Sequence, residues 1–359
     1  DLKPPLEYYV DKLDKVVFQE KLGTVLQKTK RMVKVAGAVA REAGATDEQT
    51  KNAERAAYLA KADLVTQAVV EFTSQQGVMG GYYAKASGEP KEVAEAIREQ
   101  YRPRFAGDEI PSHLVGRCVA IADKLDTVCG MFAIDEPPTG SSDPFALRRS
   151  AIGIIAMLRT MPQVSLSAII EASLAVYAEQ GLEFDAAKVQ EAVEQFFAGR
   201  LAAIAQDEGI APDTIEAVSA VGVIDPDEFL KRAQALDEAR SGEPELFEDL
   251  AIAYARASHL ADATLGEDVD ESILTDPEKD LLSACKNGRE EVAAALAAKD
   301  YAGALAALAK LREPIDAFFD DVLVMDPDEA IKNNHLRLLN KFAQTFADVA
   351  DIGCLSRKK

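Results

Sequence analysis

The sequence contains no tryptophan, three histidines and four cysteines. His113, His259 and His335 are far apart in the chain, and Cys118, Cys129, Cys285 and Cys354 form no CxxC pair. A zinc knuckle, a disulfide framework and a Ser/His/Asp or Cys/His nucleophile each need such residues at defined spacing. None of them is indicated, and a reducing cytosol is the expected setting. There is no GxxxxGK[ST] phosphate loop and no GxGxxG opening a helix. The apolar runs are too short to cross a bilayer, and no signal peptide is recognisable. The chain starts at Asp1 rather than at Met and reads as a piece cut from a longer protein, or as a trimmed one.

What is present is helix-forming material. Hydrophobic residues make up 48% of the chain and aromatics 6%, the composition of an Ala/Leu-rich helical globule. Its 359 residues suffice for two or three domains with substantial cores. A net charge of −21 argues against a nucleic-acid footprint over the whole surface. The charge is uneven, however. Residues 12–41 carry eight Lys/Arg against Asp14 and Glu20, and residues 330–359 carry six against Asp348 and Asp351. An acidic body with two basic segments can bind RNA locally while resisting non-specific binding. An ordinary acidic protein with basic helix faces fits the same distribution.

Periodicity predicts an all-α, multi-domain helical chain. Residues 12–43 read as one long helix, with Phe18, Leu22, Val25, Thr29, Met32, Ala36 and Val39 on one face. Thr46 and Gln49 form a capping box for a second helix running to about Phe72. A Gly-rich turn at 77–81, a short helix at 93–101 and a helix at 113–131 follow. Asp63, Asp123 and Asp126 fall beside apolar faces. Helical segments over 165–240 break at Gly181, Gly209 and Pro226, and the Ser241–Pro244 turn opens a last unit of four helices at 245–264, 276–297, 302–312 and 327–350. Asp326 and Pro327 read as the cap and first residue of the final helix. Its apolar stripe is Ile331, Leu338, Leu339, Phe342, Phe346 and Val349.

The stretch from Pro138 to Arg149 organises the first half. A Gly/Ser turn stops at Asp143, an expected N-cap, with Pro144 expected at the first helical position. Arg148 and Arg149 stand just past the first turn. An open helix N-terminus beside an Arg pair suits a phosphate. Carboxylates of this acidic chain are the competing partners for the two arginines.

That stretch, with Ala122 to Thr127 before it, resembles the β-subunit of the bacterial two-subunit glycyl-tRNA synthetase. Phe18–Gly23, Lys61–Leu64, Gln76–Gly80 with Tyr82–Ala84, Pro103–Glu109, Phe318–Met325 and Asn334–Leu339 agree with the same family. The resemblance is dense over 1–160 and 300–355 and thin between. It implies an HD-like helical domain at 1–160, a helical linker region at 161–240 and a DALR-type anticodon-binding helical domain at 241–359. It further implies that the chain holds tRNA(Gly) in the cytoplasm, in an α2β2 heterotetramer. Glycine would be activated with ATP and Mg²⁺ at the α-subunit, with no cofactor in this chain and no membrane or DNA partner. The absence of synthetase ATP-handling signatures fits that division of labour. The tRNA-binding residues implied are Arg148, Arg149, Lys332, Asn333, Asn334, Arg337 and Lys341. Asn333, Arg337 and Lys341 share one helix face at i, i+4 and i+8, and Asn334 lies beside that row. Amides there can read bases, while the cations hold phosphates. His335 and Ser142 depart from the family, which carries Arg and Lys at those places. His335 is expected to be a neutral residue at the core edge rather than an RNA contact.

A second reading comes from Asp63 and Asp123. Their placement resembles that of metal-dependent HD phosphohydrolases, which use a His–Asp pair and a distant Asp. Here Lys61-Ala62-Asp63 stands where His–Asp is expected, and Ala62 fills the histidine's place. Carboxylates by themselves hold Mg²⁺ weakly. The expectation is therefore no metal and no catalytic residue, with both aspartates salt-bridged to Lys or Arg or capping loops.

Overall fold

The computed structural model describes residues 1–356, and these are helical apart from one small hairpin. Arg357, Lys358 and Lys359, part of the basic C-terminal segment, lie outside the described residues. The all-α expectation holds. The chain forms two compact units: Asp1–Arg200 with Ile224–Asp227, and Leu201–Val223 with the chain from Glu228 onward.

In the first unit the expected long helix at 12–43 is shorter. A single turn at Asp11–Lys15 leads into two short antiparallel strands, β1 (Val17–Gln19) and β2 (Gly23–Thr24). Val16, Val17 and Phe18 favour extended backbone, and Gly23 at φ +91° makes the turn. α1 (Val25–Glu42) starts only at Thr24, whose hydroxyl accepts the Gln27 amide while the Gln27 side chain accepts the Thr24 amide. Its buried face is Met32, Val35, Ala36, Val39 and Ala40.

α2 (Asp47–Leu59) has the expected Thr46/Gln49 capping box. It does not reach Phe72: the chain turns at Ala62–Val65 before α3 (Gln67–Glu71). The break is made by Asp63, whose Oδ2 accepts the amides of Gly77 at 2.7 Å and Gly80 at 2.9 Å. Those glycines open α4 (Val78–Ala86), where only a turn was expected. Gly77 has φ +80°, and a Cβ on Gly80 would stand 3.0 Å from the Asp63 carboxylate.

Then come α5 (Lys91–Glu99), α6 (Leu114–Ala133), α7 (Leu147–Leu158) and α8 (Leu166–Glu179). α6 is the central helix, packed on α1, α2, α5, α7 and α8 through Val119, Ile121, Leu125 and Val128. α9 (Ala186–Asp207) carries the chain across the boundary between the units.

The second unit contains α10 (Pro212–Ser219), α11 (Pro226–Gly242) from Glu228 onward, α12 (Pro244–Leu260), α13 (Asp276–Ala297), α14 (Tyr301–Ala309), α15 (Arg312–Asp321) and α16 (Glu329–Phe346). α15 was not anticipated; Pro314 sits in its first turn, where a missing N–H costs little. α16 starts two residues late, because Asp328 rather than Asp326 caps the amides of Ala330 and Ile331. Leu338, Leu339, Phe342 and Phe346 are fully buried, as expected from the stripe, and the Phe346 ring meets Tyr254 of α12 at 5.0 Å.

Candidate nucleic-acid interface

Beneath the surface of the first unit lies a network of buried charges. Arg31 of α1 grips Asp126 of α6 with two hydrogen bonds, Nε to Oδ1 at 2.6 Å and Nη2 to Oδ2 at 3.1 Å. Lys28, one turn earlier, reaches Asp126 Oδ2 at 3.2 Å and Asp123 Oδ1 at 3.1 Å. Lys61 reaches Asp123 Oδ2 at 2.7 Å. Burial by itself would raise the pKa of Asp123, but Lys61 and Lys28 outweigh it and hold the carboxyl well below the usual carboxylate range. Asp63 has the opposite balance: burial dominates and raises its pKa against the pull of the Gly77 and Gly80 amides. Asp63 and Asp123 are thus a loop clamp and an ion-pair partner. Among the described residues no group of three His, Cys, Asp or Glu side chains is placed to hold a metal ion. The phosphohydrolase reading finds no support. Lys28 and Arg31 were missed in the sequence; their signal was two cations at i and i+3 beside the buried stripe of α1.

Above this network opens a cleft of about 450 Å³. Its lining includes Ser74, Gln76, Arg104, Lys124, Phe145 and Arg149. The expected open helix end needs correction here. α7 starts at Leu147, three residues later than expected, after Ala146 in a left-handed conformation. The Asp143 carboxylate accepts the amides of Leu147 at 2.7 Å and Arg148 at 3.0 Å. The helix end is therefore already capped by a carboxylate and does not present its first amides to a phosphate. The arginines remain available. Among the described residues neither the Arg148 nor the Arg149 side chain has a hydrogen-bond or ion-pair partner, and Arg149 is exposed on the cleft wall. The competing carboxylate partners are not engaged.

In the second unit the residues expected on α16 separate into two groups. Lys332, Asn333 and Lys341 are half-exposed, and among the described residues their side chains have no hydrogen-bond or ion-pair partner. Arg337 Nε donates to the Leu265 carbonyl at 3.2 Å, which orients the guanidinium and leaves its two terminal nitrogens for other acceptors. Asn334 belongs elsewhere. It is 2% exposed, its Oδ1 accepts the Asp270 amide at 2.7 Å, and its Nδ2 donates to the Asp270 carbonyl at 3.1 Å. Base reading by Asn334 is incompatible with this arrangement, since the amide is consumed pinning the 270 loop to α16. His335 is buried as well, its Nε2 3.0 Å from Glu278 Oε1 and its Nδ1 3.0 Å from the Val324 carbonyl. It is a core residue and makes no surface available to RNA.

The family whose profile is described as "Glycyl-tRNA synthetase beta subunit" matches residues 1–220, and the "DALR anticodon binding domain" profile matches residues 250–352. The chain belongs to the glycyl-tRNA synthetase β-subunit family. Relatives named "Glycine--tRNA ligase beta subunit" include those of Vibrio cholerae serotype O1 and Aliivibrio fischeri, each 42% identical over 362 residues. Another, from Alteromonas mediterranea, is 41% identical over 364 residues. Each alignment covers 99% of this chain and 51% of the relative, so the chain spans about half the length of these family members. The α16 row lies inside the segment matched by the anticodon-binding profile, and the Arg148–Arg149 pair inside the segment matched by the β-subunit profile.

Proposed function

We propose that this chain is a tRNA-holding part of a glycine–tRNA ligase β-subunit. It grips tRNA(Gly) in the cytoplasm while glycine is activated with ATP and Mg²⁺ at a partner α-subunit, within an α2β2 heterotetramer. The observation that carries the reading is the row Asn333, Arg337 and Lys341 on one accessible flank of α16, with Lys332 at the other edge of the helix's solvent side; the helix is held rigid by Leu338, Leu339, Phe342 and Phe346 and lies within the anticodon-binding match. Such a row offers one amide to a base edge and two cations to phosphates or unstacked bases. Arg148 and Arg149 supply phosphate contacts from the first unit. No step of glycine activation is assigned to residues of this chain, and neither DNA nor a membrane enters the reading. No helix among the described residues is long and apolar enough to cross a membrane.

Filter binding of the chain to tRNA(Gly) and to a second tRNA, repeated over a range of salt concentrations, tests the proposal. Preference for tRNA(Gly) with affinity falling as salt rises is expected. Equal binding to both, or to neither, removes the reading. Pyrophosphate exchange with glycine and ATP is expected only after α-subunit is added.

A further inference from the structure

The cleft in the first unit is walled by a buried ammonium that makes no ion pair among the described residues. Asp123 uses both carboxylate oxygens on Lys28 and Lys61, and Asp126 is divided between Arg31 and Lys28. The neighbouring Lys124 is 9% exposed. Its Nζ donates to the Arg102 carbonyl at 2.9 Å and the Gln100 carbonyl at 3.4 Å, and among the described residues no carboxylate lies within 4 Å of it. Burial pulls its pKa down to about 8; Asp123 and Asp108 oppose the shift, while Lys61 and Lys28 add to it. An ammonium in a low-dielectric wall without a direct ion-pair partner is costly, and an anion from outside would offset that cost.

The rest of the lining is arranged for such an anion. Arg104 and Arg149 are exposed on the cleft wall, Ser74, Gln76, Thr127 and Ser150 add polar groups, and Asp123, the acidic member of the lining, is already neutralised. Phe145 contributes a ring surface beside Arg149 in sequence and in the lining. A volume of about 450 Å³ exceeds what a lone inorganic phosphate needs and suits a phosphate with its attached nucleoside.

We propose that this cleft binds the phosphate group of a nucleotide, with Lys124 as the buried counter-charge, Arg104 and Arg149 as the outer cations and Phe145 beside the base. The nucleotide comes either free in solution or as the 5′ end of an RNA. The site does not depend on the chain recognising tRNA(Gly).

The test is calorimetric titration of the full 359-residue chain with inorganic phosphate, 5′-GMP and guanosine, at constant ionic strength in chloride. Phosphate and GMP are expected to bind and guanosine to bind at least about tenfold more weakly, because the charge-assisted contacts are all to the phosphate. Arg149→Ala and Lys124→Met should each weaken GMP binding by a similar factor. If Lys124→Met fails to fold, Arg149→Ala and Arg104→Ala, both at exposed positions, decide. A short RNA with and without a 5′-phosphate separates the sources. Binding tighter than GMP and lost on dephosphorylation assigns the site to an RNA end, and GMP binding at least as tight assigns it to free nucleotide. No heat above the chloride control, or GMP affinity unchanged in both Arg variants, overturns the proposal. Phosphate binding in a chain that ignores tRNA(Gly) would leave this site standing and remove the tRNA reading.

Discussion

Lys61 Nζ lies 2.7 Å from Asp123 Oδ2, so a lysine ammonium, together with that of Lys28, neutralises the carboxylate that a metal-dependent phosphohydrolase would need as a ligand. Lys61, next to the alanine that departs from the His–Asp pattern, thus ties the segment after α2 to the central helix. Removing a single partner from a buried pair leaves the other charge uncompensated. Asp123→Ala is expected to cost about 3–5 kcal/mol in urea denaturation. Mn²⁺ added to the unmodified chain should leave the midpoint unchanged; a metal-induced rise would return these carboxylates to a ligand role.

Lys124 makes stability depend on pH in a defined direction. Its folded pKa of about 8 lies below the ordinary 10.5. Between these values the unfolded chain holds a proton that the folded chain has released, so this group adds stability as pH rises from about 8 to 10.5. Below pH 8 its penalty is fully present. The span amounts to at most about 3 kcal/mol. Cys118, Cys129 and Cys285 act oppositely, since burial pushes their thiols up to about 12. The contribution of Lys124 is therefore read as the difference between the curves of the unmodified chain and Lys124→Met. Parallel curves would show that Lys124 is not perturbed.

Arg148→Ala/Arg149→Ala tests the phosphate role directly. Among the described residues neither side chain has a hydrogen-bond or ion-pair partner, so the thermal midpoint should not change. Affinity for different RNAs should fall about equally, and the salt slope should flatten by roughly one to two units. An unchanged slope would remove the pair from the interface.

Asn334→Ala and Arg337→Ala should now separate. Asn334→Ala removes both hydrogen bonds that tie the Asp270 backbone to α16 and should lower stability by about 1–3 kcal/mol with little change in RNA preference. Arg337→Ala, with Asn333→Ala beside it, should reduce discrimination between tRNA(Gly) and an anticodon-loop variant. Loss of preference in Asn334→Ala at unchanged stability would overturn this division.

Asp143→Ala removes the carboxylate that accepts two amides at the start of α7 and should cost about 0.5–2 kcal/mol in thermal or urea denaturation. It should also expose the helix end beside Arg148 and Arg149, so RNA affinity should not fall. A loss of affinity would mean that Asp143 orders the arginines for binding.

The helical class, the stripes of α1 and α16, the Thr46 capping box and the break at Gly181 were all legible in the sequence, because each depends on spacing within a few residues. So was the family, whose motifs are continuous runs. Where the long helices stop was decided by contacts far along the chain. Asp63 breaks its helix by binding amides 14 and 17 residues away, and the Val17–Thr24 hairpin takes Phe18 and Leu22, the first two residues of the stripe that one-dimensional periodicity assigned to a single long helix. The site divided in the same way. That Asn333, Arg337 and Lys341 share a flank follows from helical spacing. That Asn334, one position away, is sealed against Asp270 follows only from a loop 64 residues earlier folding onto α16. Burial of charge is likewise a tertiary property: Lys28, Lys61 and Lys124 look like surface residues until four segments pack around them, and only then does one ammonium remain without an ion-pair partner among the described residues.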